Sequence, residues 1–199
     1  MAQQQVTRIP LCSTKDTMHR CVLGNLSFRS FWSMWMRGPR IPLQKRLQVY
    51  NAMCVSTMLY NCSSWAAPKT ILNKLDACHR RHLRSILGIH WPHSTISNEA
   101  LYKRCNTRPL SEFVAEAKWN MLGHVLRMDR SAPAQNALQY AVEGAKKYKG
   151  RRGRHTTNLL DTLKADIKHR NLNLRNTIDL EILRRAADDR ARWREMKKD

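Results

Sequence analysis

The sequence predicts an all-α protein, a larger helical bundle followed by a smaller helical C-terminal lobe. No segment alternates apolar and polar residues for long enough to make a strand, whereas several repeat apolar residues at steps of three and four. Breakers separate these segments at Gly38-Pro39, at Ser131-Ala132-Pro133 and at the two glycines of 146–155. With 42% hydrophobic residues in 199, the chain has enough apolar surface to fold rather than stay disordered.

Residues 1–15 read as an N-terminal tail, and MAQQQVTRIP contains no apolar signal-peptide core. A bundle over 16–145 begins with a helix that places Met18, Val22, Phe28, Trp32 and Trp35 inward and ends at Gly38-Pro39. Pro42 suits the first turn of the next helix, along which Leu43, Leu47, Tyr50, Cys54, Met58, Cys62 and Trp65 recur at helical steps. Residues 69–87 form an amphipathic helix with a basic back. At about 100° per residue, Leu72, Leu75, His79, His82, Leu83 and Ile86 share one arc, and Lys74, Arg80, Arg81 and Arg84 take the opposite one.

Pro109 opens a long helix to about 128. Leu110, Phe113, Val114, Ala117, Met121, Val125 and Met128 share one face, and Trp119, Leu122 and Leu126 make a second, so this helix should be largely buried. His124 falls in the first stripe and reads as a core residue, since no carboxylate or nucleophile stands at a spacing that would orient it. Gly123 costs about 1 kcal/mol in helix propensity, which points to another element packed close to it. A basic hinge over 146–155 leads to a helical lobe over 156–199. There Leu159, Leu160, Leu163 and Ile167 mark a short helix, 171–176 a loop, and a last helix carries Ile178, Ile182, Ala186, Trp193 and Met196 on one side.

Charge narrows the partner. The formal charge of +21 far exceeds the ~2–8 that solubility asks of a small domain, so a polyanion is expected. Residues 1–110 hold 16 Lys and Arg against three acids (Asp16, Asp76, Glu99), and 111–199 hold 20 against 12. The first half should therefore present a field of one sign. No lipidation signal or uninterrupted apolar run of membrane-spanning length accompanies it, so nucleic acid is favoured over a membrane.

Six cysteines at irregular spacing, without secretory signals, suggest reduced thiols inside a cell. Cys78, His82, His90 and His93 run C-x3-H-x7-H-x2-H, residue types that zinc accepts. Structural zinc sites bring ligands in as two tight pairs from turns, whereas Cys78 and His82 lie on the apolar side of a helix. Packed core residues are the expected reading, and neither a metal nor a cofactor is expected.

The segment KKYKGRRGRH, 146–155, has six cations and no acid. Its glycines keep it from committing to a helix. Lys146, Lys147, Lys149, Arg151, Arg152 and Arg154 are placed to meet successive phosphates without reading bases, and Tyr148 to stack on an unpaired base at about 1–3 kcal/mol. A solvated linker is the plainer alternative, and a nuclear address is compatible with either, so nucleus and cytoplasm both stay open.

Five pieces in order resemble the region after the polymerase palm in reverse transcriptases of non-LTR, LINE-like retrotransposons of the RTE sort: the thumb and the helical C-terminal segment. They are QKRLQVYNAMCVSTMLYNCSSW (44–65), HRRHLRSILGIHW (79–91), ISNEALY (96–102), KWNMLGHVLRMD (118–129), and GRRGR followed by ADDRARWR (187–194). The family commonly has Gly and Glu where this chain has Asn61 and Ser64, and Pro where it has His155. The resemblance implies a thumb-like bundle that holds template–primer, with RNA, DNA or an RNA–DNA hybrid as partner. It also admits a separate palm-containing polymerase chain as a second partner.

The strand-borne carboxylates that hold a polymerase's two metal ions are missing. Ala186-Ala187-Asp188-Asp189 echoes the reverse-transcriptase metal box only superficially, since it lacks the aromatic and lies in a predicted helix. Asp188 and Asp189 are expected to pair with arginines such as Arg185 and Arg192. The sequence thus points to a grip on phosphates by Lys74, Arg80, Arg81 and Arg84 and by the 146–154 cations, with no catalysis of its own. A basic helical structural or assembly RNA-binding protein is the alternative.

Overall fold

The computed structural model describes residues 13–38, 40–147, 162 and 179–196, which contain eight helices and no strand. Helix α1 (Ser13–Phe31) runs into a π-helical turn, Trp32–Met36. Helix α2 (Leu43–Tyr50) continues through a second π turn, Asn51–Val55, and a last α turn, Ser56–Met58. A 3-10 turn at Cys62–Ser64 leads to α3 (Lys69–Leu87), α4 (Asn98–Arg104), α5 (Leu110–Leu126) and α6 (Pro133–Lys147). Two short helices, α7 (Leu180–Asp188) and α8 (Arg190–Glu195), follow.

The predicted faces of α2 and α3 are the buried ones. Tyr50, Cys54, Met58, Cys62 and Trp65 are all in the core, with Leu43 and Leu47 packed against it. These residues advance mostly by fours, a step that drifts around an α-helix; the wider winding of the π turn at 51–55 keeps Tyr50, Cys54 and Met58 on one side. On α3, Leu75, Cys78, His79, His82, Leu83 and Ile86 are buried.

The expected inward face of α1 is corrected. Thr17, Cys21, Gly24 and Phe28 are buried, while Met18, Val22 and Trp35 are exposed, Val22 at 52%. The reason is close approach. A Cβ on Gly24 would overlap Met58, so α1 lies against α2 through its smallest residues, and the larger apolar side chains are turned outward.

Two apolar clusters fill the interior, and α5 joins both. Leu110 and Val114 complete the cluster made with α1 to α4; Trp119, Leu122 and Leu126 form the second with Val142 of α6 and Leu183, Ala187 and Trp193. The clusters therefore meet within α5. The sequence-based boundary at 146–155 and the helix and loop expected over 159–176 fall almost wholly outside the described residues.

Remote caps fix both ends of α5. Buried Asp76 accepts from the Ser111 backbone N–H at 2.9 Å and from its hydroxyl at 2.7 Å, and buried Gln135 donates to the carbonyls of Val125 (2.6 Å) and Leu126 (2.9 Å). Close packing at Gly123 is present: a Cβ there would overlap the Trp193 indole. His124, in contrast, is exposed. The side of α5 toward α7 and α8 is the Trp119–Leu122–Leu126 stripe, which turns His124 to solvent.

The last helix is also corrected. The chain breaks at Asp189, whose carboxylate accepts from the backbone N–H groups of Ala191 and Arg192 and so caps α8 instead of pairing with an arginine side chain. Helical phase is lost at that break. Leu183 and Ala187 are buried on α7, while Ile182 is 49% exposed.

Candidate nucleic-acid interface

Helix α3 divides its four predicted contact residues between two flanks. Arg80 donates to the Tyr102 hydroxyl (3.4 Å), and Arg84 to Asn98 Oδ1 (2.7 Å) and the Ile96 carbonyl (3.4 Å), so these two hold α4 and the segment before it. Lys74 and Arg81 are exposed, and Arg81 borders α1. Of the second predicted set, Lys146 and Lys147 close α6, and Tyr148, Lys149, Arg151, Arg152 and Arg154 lie outside the described residues.

Beneath Arg81 a buried polar chain fastens α3 to α1 and α2. Asn25 Oδ1 accepts from His82 Nε2 (2.8 Å) and from the Cys78 thiol (3.3 Å). The Tyr50 hydroxyl lies 2.8 Å from His79 Nδ1 and 3.3 Å from His82 Nδ1. One proton arrangement satisfies the most groups. With His82 protonated on Nε2 toward Asn25, its Nδ1 accepts from Tyr50, and His79 Nδ1–H donates to the Tyr50 oxygen; only His79 Nε2 is left without a partner. Burial holds both imidazoles neutral, lowering His79 to about 3 and His82 to about 4, with the neighbouring His82 and Arg80 adding to the first and Arg81 to the second.

This cluster contains the residue types of a cysteine–histidine–asparagine triad without the triad's geometry. The His82 nitrogen not bonded to Asn25 faces Tyr50, not Cys78, and the thiol is buried. Hydrogen bonding from Cys21 pulls the Cys78 thiol below its usual range and pushes Cys21 above it. The zinc pattern is not assembled either: Cys78 and His82 are in this chain, His90 and His93 are exposed, and no three His, Cys, Asp or Glu side chains converge among the described residues.

Above this chain, α1 and α3 leave an open trough. One hollow of about 340 Å³ is bordered by Phe28, Arg29, Trp32, Arg81 and His82; a second, of about 380 Å³, by Trp32, Arg37, Arg46, Ser85 and His90. Trp32 and Ser85 line both, so the hollows adjoin. Among the described residues, no carboxylate lines either one. The three acids of the first 110 residues lie elsewhere: Asp16 accepts from Trp65 Nε1 and pairs with Arg20, Asp76 caps α5, and Glu99 is in the first turn of α4. Ion pairs among the described residues join Arg20, Arg108, Arg130 and Arg184 to acids, and none involves a trough arginine.

Sequence reasoning missed Arg29, Arg37 and Arg46; Trp32, expected inward, does pack half-buried against the core and also lines both hollows. The available signal was the interleaving of aromatics and arginines in FRSFWSMWMR (28–37), where the apolar residues were assigned to the core. No family model, curated protein or solved structure matches the chain.

Proposed function

We propose that this chain is a nucleic-acid-binding thumb and post-thumb region of a retrotransposon-type RNA-directed DNA polymerase, gripping the sugar–phosphate backbone without reading sequence and without catalysing a reaction itself. The observation that carries this reading is the trough between α1 and α3: four arginines border it, and the chain's nearby carboxylates are engaged elsewhere. None of the four is in an ion pair among the described residues, and Arg46 bonds only to backbone carbonyls, so their charge is left to replace counterions on phosphates and to give sequence-independent affinity. The Asn25–His82–Tyr50–His79 chain contributes rigidity, because it ties together the three helices that carry Arg29, Arg46 and Arg81.

The order of the five sequence pieces supplies the polymerase part of the proposal, with a palm on a separate chain or segment as partner. Binding to an RNA–DNA hybrid, duplex DNA and single strands, measured side by side, tests it. Affinities should vary little with base sequence, and the protein given primer, template, magnesium and nucleotides should not extend the primer. Binding confined to one sequence, or primer extension by the purified chain, would contradict the proposal.

A further inference from the structure

A nucleotide within a strand is a base flanked by two phosphates, and the trough is an aromatic ring flanked by two pairs of arginines. From that correspondence we infer that the trough seats one unpaired nucleotide of a single strand, its base against Trp32, one phosphate between Arg29 and Arg81 and the next toward Arg37 and Arg46. The inference rests on the nucleic-acid reading above and names the form of nucleic acid this site takes.

Four observations converge on it. Trp32 belongs to a π-helical turn, so the end of α1 is rewound at the residue shared by both hollows. Such turns recur at functional positions. Behind Trp32 the wall is aromatic: Phe28 stands 5.2 Å from it and is itself stacked on His82 at 4.1 Å and 8°. A base therefore meets a backed ring. Arg46, which borders the second hollow, is held in place there by the Ile86 carbonyl (2.6 Å) and the Met36 carbonyl (3.4 Å). Finally, the first hollow, about 340 Å³, is near the lower end of the ~300–1,000 Å³ range of small-ligand sites.

A duplex keeps its base faces stacked inside, so it offers the arginines phosphates but gives Trp32 nothing. Unpaired bases present a π-face, and stacking accepts any of the four.

The test compares three probes on the whole chain: a single-stranded DNA 20-mer, the same strand with abasic sites throughout its middle, and a blunt duplex. Trp32→Ala should weaken single-strand binding by about 5- to 150-fold, the span of one base–aromatic stack, and change duplex binding by less than about twofold. Trp32→Leu keeps apolar bulk against Phe28 and removes the π-face, so it should reproduce the loss if the alanine variant unfolds. The abasic strand should bind the unaltered protein as weakly as the intact strand binds Trp32→Leu. Equal affinity for abasic and intact strands would overturn base seating. If arginine substitutions still weakened all probes, the phosphate grip would stand without it. Failure of every probe to bind at low salt would remove both.

Discussion

The indoles of Trp119 and Trp193 lie face to face, centroids 4.0 Å apart and planes within 5°, and each N–H donates to the other residue's backbone carbonyl, at 3.0 and 3.2 Å. Seventy-four residues separate them in sequence, so one contact ties α8 to the middle of α5. Because both indole donors are used, neither ring can slide without losing a buried hydrogen bond.

Gly123 lies under that pair. Alanine would gain about 1 kcal/mol in helix propensity, but its Cβ would overlap a ring held on both sides, and overpacking costs about 1–3 kcal/mol. The overlap should win. Gly123→Ala is expected to lower the urea midpoint of unfolding, and a raised midpoint would show that Trp193 moves aside freely.

Asp76 is expected to be worth about 1.5–3 kcal/mol. Its carboxylate holds two donors of Ser111 in a buried setting, and Asp76→Ala would leave the start of α5 without its acceptor. Equilibrium denaturation measures this loss. Asp76→Asn should retain part of it, since one amide oxygen can still accept.

The two buried histidines predict a pH dependence. Each has a folded-state pKa lowered below its unfolded value of 6.5, His79 to about 3 and His82 to about 4. Between those values the unfolded chain binds more protons, so stability rises with pH and falls on acidification from about 6.5 toward about 4. Each imidazole contributes a slope of up to about 1.4 kcal/mol per pH unit within that window. Denaturation at pH 7, 6 and 5 should show the decline, and His79→Gln should make it shallower. A flat profile would mean that these rings are hydrated.

Arginines on the two flanks of α3 should separate in a binding assay. Replacing Arg29 and Arg81 by alanine is expected to weaken every nucleic acid about equally and to lower the salt slope by roughly 2, with the fold unchanged. Replacing Arg80 and Arg84 should lower stability, since Tyr102 and Asn98 lose their partners. Neutralising the six cations of 146–154 should act like the first pair, reducing affinity for all duplexes alike.

What could be read from the sequence depended on side-chain size and continuity. The faces of α2 and α3 were legible because large apolar residues recur on them without a break. The face of α1 was not, since its packing surface is Thr17, Cys21 and Gly24, which a hydrophobic pattern undervalues. Ile182 was misplaced because Asp189 ends one helix and caps the next, cancelling any phase carried across it. The trough depends on tertiary structure. Arg29 and Arg81 are 52 positions apart and meet only because Asn25, on the same helix as Arg29, bonds to His82 beside Arg81.

The most direct measurement is the dependence of nucleic-acid affinity on salt. If about five to eight phosphates are engaged, the logarithm of the association constant should fall with the logarithm of salt concentration with a slope of magnitude roughly 4–7, alike for unrelated sequences. A slope near zero would contradict a grip made of arginines and lysines on phosphates.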